Sequence, residues 1–332
     1  MRYTEAIGRG FRVINKNWQL VLIQVGAALA SLAGFFILVG LPLAIAFIIF
    51  GLDLTELSRI EDIFRTLREP SGLITRYLGL VILLLVSFLL YIIVILALGI
   101  FVFGGSIGVI SRSIKEGAGK FSIRLFFSEG RRLFFPLLWF TTIIGLIFIA
   151  LAFVLGLFGG TIAAIVSAAK EQGAALSYFL GIFFSIVLFI AGITVALAVL
   201  SVVIYGTAIM AVRGFGPVRS LREAFIYVSK HADAFYLYCI VFVGYIIISL
   251  FVVFIGYPLR FIPLIGTAMS FVYQMAVYVM QSYLALVMVA AIVCYYYFSA
   301  ESTSGSSTPQ TDTSQPRPSG QEDTPPWRVE SG

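Results

Sequence analysis

Charged side chains are scarce in this 332-residue chain: Asp, Glu, Lys and Arg make up 11% of it, where a soluble domain carries about a quarter. Hydrophobic residues reach 60%, and the mean hydropathy is +1.04. That balance excludes a soluble globular protein, and for most of the chain a disordered one. Histidine occurs once, at His231. The two cysteines, Cys239 and Cys294, both fall inside apolar runs. No zinc spacing exists and a disulfide framework is not expected, so the redox compartment stays open. No cofactor or metal is expected.

Carboxylates are the scarcer sign, and the net charge is +6. The basic residues flank apolar runs rather than forming one patch, so the partner they point to is a membrane surface and not nucleic acid. Six apolar runs lie near 18–51, 77–111, 133–168, 175–212, 234–257 and 264–300, and none contains Asp, Glu, Lys or Arg. Each exceeds the roughly 18 to 20 residues that cross a bilayer. The expected fold is an all-α integral membrane protein with six transmembrane helices. A β-barrel is excluded, because its strands would be about ten residues long with alternating polarity. Several runs would make roughly 50 Å of helix against a 30 Å hydrocarbon core. Gly40-Leu41-Pro42 and Gly159-Gly160 are the expected kinks.

Sixteen Lys and Arg fall on one side of this topology and six on the other. The positive-inside rule then places both termini in the cytoplasm of a multi-pass protein of the cell membrane.

The joints on the basic side share a pattern. Residues 111–136 carry six of the 22 Lys and Arg against two carboxylates. Within them Ile123, Phe126, Phe127, Leu133 and Phe134 share one helical face; Ser122, Arg124, Ser128, Glu129, Arg131 and Arg132 share the other. In residues 3–17, Tyr3, Ile7, Phe11 and Ile14 line up with Trp18, opposite Glu5, Arg9, Arg12 and Lys16. In residues 217–233, Val218, Leu221, Phe225, Val228 and Ala232 oppose Arg219, Arg222, Glu223 and Lys230. These three elbows (3–17, 120–133 and 217–233) are expected to lie in the membrane interface. Arg9, Arg12, Lys16, Arg112, Lys120, Arg124, Arg131, Arg132, Arg213, Arg219, Arg222 and Lys230 would face anionic headgroups. A signal peptide cleaved after Ala28-Leu29-Ala30 is the rival reading of the N-terminus, but the apolar run continues to Phe50, past any such segment.

On the opposite side, Leu54, Leu57, Ile60, Phe64 and Leu67 recur at helical spacing among charges of both signs. They predict an interfacial helix, with a binding lid as the alternative. Beyond Ala300 the composition turns to Ser, Thr, Pro, Gly and Gln, and residues 301–332 read as a disordered cytoplasmic tail.

Glu5-Ala6-Ile7 parallels Glu223-Ala224-Phe225, and Gly105 and Gly206 each precede an arginine, Arg112 and Arg213, by seven residues. The chain therefore reads as three parallel units, each an elbow followed by two spans. Mitochondrial carriers also combine six spans in three units, but their P-x-[DE]-x-x-[KR] signature has no match at Pro42, Pro136 or Pro258. The elbows EAIGRGFRVINKNW, FSIRLFFSEGRRLFFP and LREAFIYVSKHADAF, with their Gly-rich span ends, resemble the six-span membrane domain fused to some bacterial glycerophosphodiester phosphodiesterases and related stand-alone membrane proteins. The resemblance covers most of residues 1–300. The phosphodiesterase domain has no counterpart in residues 1–332, so the resemblance implies a fold and not an activity.

Catalytic patterns fail in turn. Gly117-Ala118-Gly119-Lys120 has Phe121 where a P-loop needs Ser or Thr, and Ile114 where it needs Gly. His231 has Asp233 nearby but no nucleophile elbow, and reads as a headgroup-level side chain. With no ionisable residue in any run, proton-coupled pumping is not expected. Gln24, Gln274 and Gln281 are the polar candidates within spans; Gln274 and Gln281, joined by Tyr278, read as interhelical hydrogen-bonding groups or the lining of a polar path. Gly26, Ala30 and Gly34 form a small-residue row suited to helix packing. Tyr295, Tyr296, Tyr297 and Phe298 read as an interfacial aromatic belt.

The expected function is a non-enzymatic membrane module that organises lipid or a partner protein, with anionic lipid headgroups as the first class of partner. The alternative is an uncoupled transporter or channel for an apolar or lipid-like solute; an enzyme comes third.

Overall fold

The structure, a computed structural model, describes residues 2–56, 70–117, 121–170, 173–256 and 265–305. Among these it is helical almost throughout, with no strand. In chain order the helices are α1 (Tyr3–Lys16), α2 (Gln19–Phe35), α3 (Leu41–Glu56), α4 (Pro70–Lys115), α5 (Ile123–Lys170), α6 (Ala174–Arg213), α7 (Pro217–Lys230), α8 (Ala232–Gly256) and α9 (Ile265–Gly305). Six helical stretches are long and apolar enough to cross a membrane: Gln19–Ile49, Leu78–Lys115, Ile123–Lys170, Ser177–Arg213, Ala232–Gly256 and Val272–Ser299. The fold class expected from the apolar runs is the one observed. The helix expected over the first loop, Lys120, and most of the tail lie outside the described residues.

The two expected kinks have different outcomes. A π-helical turn, Phe36–Gly40, joins α2 to α3 just before Pro42, whose ring cannot continue the regular hydrogen-bond ladder. At Gly159-Gly160 the helix runs on unbroken. Glycine keeps its N–H, and in an apolar environment the backbone bond has no competitor.

Burial is concentrated at the end of the bundle where the elbows sit. One cluster joins Ile14 and Leu20 to Ile107 and Ile110 of α4, Phe126, Leu137 and Phe140 of α5, Met210 of α6 and Val293 of α9. A second joins Ala6, Tyr205, Ile209, Ala224, Leu237, Tyr238 and Ile292. Away from this end, Phe47, Leu85, Ile149, Phe189 and Phe254 are all exposed, as apolar side chains are when lipid replaces water around them. The last span is the central post: half of its most apolar window is buried, against 0% for the first two spans, and it touches α1, α2, α4, α6 and α8.

Small residues set how closely the elbows approach. A Cβ on Gly105 of α4 would sit 2.5 Å from the Phe126 ring, one on Gly206 of α6 would sit 3.7 Å from Ala224 of the third elbow and 2.7 Å from Phe140 of α5, and one on Gly10 of α1 would sit 2.8 Å from the backbone nitrogen of Ala291. The second and third elbows thus pack on the ends of the spans that precede them. The first elbow docks on α9, so residues far apart in the chain meet there. The small-residue row at Gly26, Ala30 and Gly34 meets no close neighbour among the described residues: Gly26 and Ala30 are exposed, and added Cβ atoms at Gly26 and Gly34 would meet nothing within 4 Å.

Candidate functional site

The elbows form a basic collar around the buried end of the bundle. Two are separate helices, α1 and α7. Gly214, in the left-handed conformation with φ +70, ends α6. Pro217 then starts α7 at a position where its missing N–H costs nothing. The second elbow differs from the expectation: residues 123–133 are the first turns of α5 itself, continuous with the span through Pro136.

Each elbow also has three faces rather than two. The face against the protein is Ala6, Gly10 and Ile14 in the first and Ser220 and Ala224 in the third, small apart from Ile14. In the second elbow it is Phe126, Glu129, Gly130 and Leu133. A second strip is apolar and turned away from the protein: Phe11, Trp18, Ile123, Phe127, Val218 and Phe225 are all exposed. A third strip carries the cations. Side chains that are apolar and exposed beside exposed cations are what an interfacial helix presents to a bilayer.

Glu129 is a correction to the sequence reading, which put it on the polar face. It is buried against Gly108, where an added Cβ would lie 2.6 Å from that of Glu129. Arg132 Nη2 stands 2.6 Å from its Oε2 and Arg112 Nη1 3.8 Å from its Oε1. Arg112 Nε also donates to Glu116 at 2.7 Å. The Arg132 contact is an ion pair without hydrogen-bond alignment, since Oε2 accepts no hydrogen bond. Arg112 and Arg132 are therefore partly committed within the chain, fastening the second elbow to the end of α4.

Arg213 and Arg219 are committed to aromatic rings. The Arg213 guanidinium lies 5.6 Å from the Tyr296 centroid and that of Arg219 lies 4.0 Å from Phe215, cation–π distances. Arg124, Arg131, Arg222 and Lys230 are exposed with no ion pair among the described residues. Lys115, not singled out from the sequence, donates to the Val212 carbonyl and ties the ends of α4 and α6.

Arg9, Arg12 and Lys16 share one strip of α1 and, with Ser113, Cys294 and Phe298, line a cavity of about 310 Å³ between α1, the end of α4 and α9. Arg9 is held 4.2 Å over the Phe298 ring. Among the described residues no carboxylate lines the cavity. Like charges three or four residues apart on a helix cost about 0.2–0.5 kcal/mol per pair, and no carboxylate among the described residues pairs with Arg12 or Lys16 to offset it.

Hydrogen bonds that no sequence pattern announced hold the first elbow in place. Asn17 Nδ2 donates to the Val13 carbonyl at 2.8 Å and to Ser113 Oγ at 3.3 Å, and Tyr283 donates to Asn15 Oδ1 at 2.6 Å. Tyr3 donates to Asp233 at 3.0 Å. The same bond, with some burial, holds the Tyr3 phenol above its ordinary value. Asp233 is thus engaged away from His231, which is exposed and stacks on Tyr227 at 4.8 Å. Burial pushes the Tyr227 phenol up to about 12. Tyr295 and Tyr296, expected in an aromatic belt, are buried beneath the elbows, Tyr295 beside Tyr3 and Tyr296 edge-on to Tyr227.

The in-span glutamines form no connected path. Gln274 is exposed, Gln24 and Gln281 are half-buried, and none hydrogen-bonds to a described residue. Both cysteines are free. Among the described residues no group of three His, Cys, Asp or Glu comes together. No protein-family model, no curated protein and no solved structure matches the chain.

Proposed function

We propose that this chain is a non-enzymatic module of the cell membrane whose basic collar lies on the cytoplasmic face, with both termini on that side, and binds anionic lipid headgroups. Through that contact it organises lipid, or a protein partner, around the collar. The sixteen-to-six distribution of Lys and Arg supports the orientation. The observation that carries the function is the recurring face of exposed apolar residues beside exposed cations: Phe11 and Trp18 with Arg12 and Lys16, Phe127 with Arg124 and Arg131, and Phe225 with Arg222. Each elbow has the chemistry to seat in a headgroup layer. Likeness to the phosphodiesterase-associated membrane domain enters only as a likeness of architecture.

The test is lipid retention by the full chain in nanodiscs of mixed phosphatidylcholine and phosphatidylglycerol. Neutralising Arg124, Arg131 and Arg222 to Gln should lower the enrichment of the anionic lipid about threefold or more, since each cation near an anionic surface contributes about 1 kcal/mol. Unchanged enrichment would remove the basis for the reading.

A second reading, passage of a lipid-like solute, draws on the shallow burial of the spans away from the collar. It predicts that reconstituted protein speeds the transfer of fluorescent lipid between leaflets over empty liposomes. Equal rates would end it.

A further inference from the structure

We infer that the cavity between the first elbow and the ends of α4 and α9 is a binding site for a phosphomonoester, a phosphate group that carries up to two negative charges. The inference deepens the collar reading above and depends on it for the location of the cavity at the membrane surface. Three cations, Arg9, Arg12 and Lys16, line it with no carboxylate among its described walls. At positions i, i+3 and i+7 they occupy one strip of α1. The neighbouring arginines are engaged: Arg112 with Glu116 and Glu129, Arg132 with Glu129, Arg213 and Arg219 with aromatic rings. Of the cavity cations Arg9 is likewise held over Phe298, whereas Arg12 and Lys16 have no ion pair or ring partner among the described residues and sit with it in a concave place.

Size and charge narrow the ligand. About 310 Å³ is at the lower end of small-molecule sites, roughly 300–1,000 Å³, so it accepts a headgroup and not a whole lipid. Two guanidinium groups offer planar forks suited to phosphate oxygens, and Lys16 adds a point charge. Phe298 fixes the plane of Arg9 from one side, which reduces the ordering the ligand must impose. Ser113 Oγ accepts from Asn17 and keeps its own O–H free to donate. A phosphodiester, with a single negative charge, would leave two of the three cations uncompensated. A phosphomonoester carries about −1.5 to −2 at pH 7 and matches them better.

The same chemistry can come from a lipid headgroup or from a soluble phosphate, and the experiment separates the two. The purified full chain in nanodiscs is compared for retention of phosphatidic acid, a monoester, and phosphatidylglycerol, a diester. A preference of about tenfold for the monoester is expected, the worth of one additional charge-assisted contact. Arg12→Gln with Lys16→Gln should bring that ratio to about one, and Lys16→Arg should keep it, because the charge is retained. Arg124→Gln with Arg131→Gln and Arg222→Gln should lower both lipids together and leave the ratio intact. Inorganic phosphate at millimolar concentration then distinguishes the sources: erasure of the preference identifies a soluble phosphate as sufficient, persistence identifies the lipid, and both support the monoester site. An equal loss of both lipids in the Arg12/Lys16 variant, or an unchanged ratio, overturns the site while the collar reading stands. No anionic-lipid enrichment in the wild type overturns both. Arg12 and Lys16 are exposed, and an unchanged thermal midpoint of the variant shows that folding is intact.

Discussion

In the second elbow a buried carboxylate, Glu129, gathers Arg132 at 2.6 Å and Arg112 at 3.8 Å. In the first, Arg9, Arg12 and Lys16 line a cavity with no carboxylate among the described residues of its walls. The two stretches look alike in composition, yet the second commits Arg132 to holding the fold, while Arg12 and Lys16 of the first have no such partner among the described residues. The difference comes from what faces each elbow. The second packs on the glycine-rich end of α4, where Gly105 and Gly108 leave room for Phe126 and Glu129. The first packs backbone to backbone on α9 through Gly10 and Ala291, so its small residues make the seam and its cations stay outside it. Basic character alone therefore does not mark a ligand site. The absence of an internal partner does.

The strongest way to break the comparison is to separate the first elbow from its seat. Gly10→Val places methyl groups where an added Cβ already lies 2.8 Å from a main-chain atom, which cannot rotate away. The expected loss is about 3 kcal/mol, the upper part of the usual overpacking range, read as a lowered thermal midpoint of the purified protein. Gly26→Val is the control: its surroundings are open, and its midpoint should stay within experimental scatter. Equal effects at the two positions would mean that the α1–α9 seam does not contribute to stability.

Glu129→Gln tests the second elbow. The two arginines it holds are about half exposed, with side-chain exposures of 49% for Arg112 and 56% for Arg132. After the substitution they can turn to water rather than remain as buried unpaired charges. The cost should accordingly be about 1–2 kcal/mol, below the 3–5 kcal/mol for breaking a fully buried pair. The same thermal measurement checks it. Retention of monoester lipid should not change, because the cavity of the first elbow is built from other side chains.

Much of this was legible beforehand, and the errors share a cause. Six uncharged runs gave the spans, and cations at helical spacing gave the elbows, because both signals are local. A two-faced helical reading does not single out the strip of each elbow that meets the protein: Phe11, Phe127 and Phe225 are exposed, whereas Ala6, Gly10, Ser220 and Ala224 pack there. In a membrane the large apolar side chains already have a good solvent, so close approach favours small ones. The Gly-rich ends of α4 and α6 were the available hint. Glu129 was read as solvated because its partner glycine lies 21 positions earlier and no period connects them. Docking of the first elbow on the last span, and with it the cavity, joins residues nearly 300 positions apart. Tyr295 and Tyr296 were misplaced for the same reason, since the elbows that cover them come from elsewhere in the chain.

The bond from Tyr3 to Asp233 is a smaller contribution to seating the first elbow. A phenol held above its ordinary value favours the neutral form in the fold. Its contribution is therefore complete below pH 10, the ordinary phenol value, and is lost as pH rises through the higher folded value. Wild type should lose thermal stability between pH 9 and 11 more steeply than Tyr3→Phe, which has no proton to lose there. Parallel curves would show that the bond does not form.

The smallest effect is expected where function is most concentrated. Arg12→Gln with Lys16→Gln removes an i, i+4 like-charge pair, which costs about 0.2–0.5 kcal/mol in isolated helices. Neither residue touches a described carboxylate, so no compensating ion pair is lost. The thermal midpoint should stay level or rise slightly in ligand-free protein, the opposite sign to Glu129→Gln. A drop comparable to that of Glu129→Gln would mean that the cations of the first elbow are structural after all, and the contrast between the two elbows would disappear. If the midpoint holds, charge that destabilises its own helix and supports nothing else in the fold is accounted for by something that binds to it.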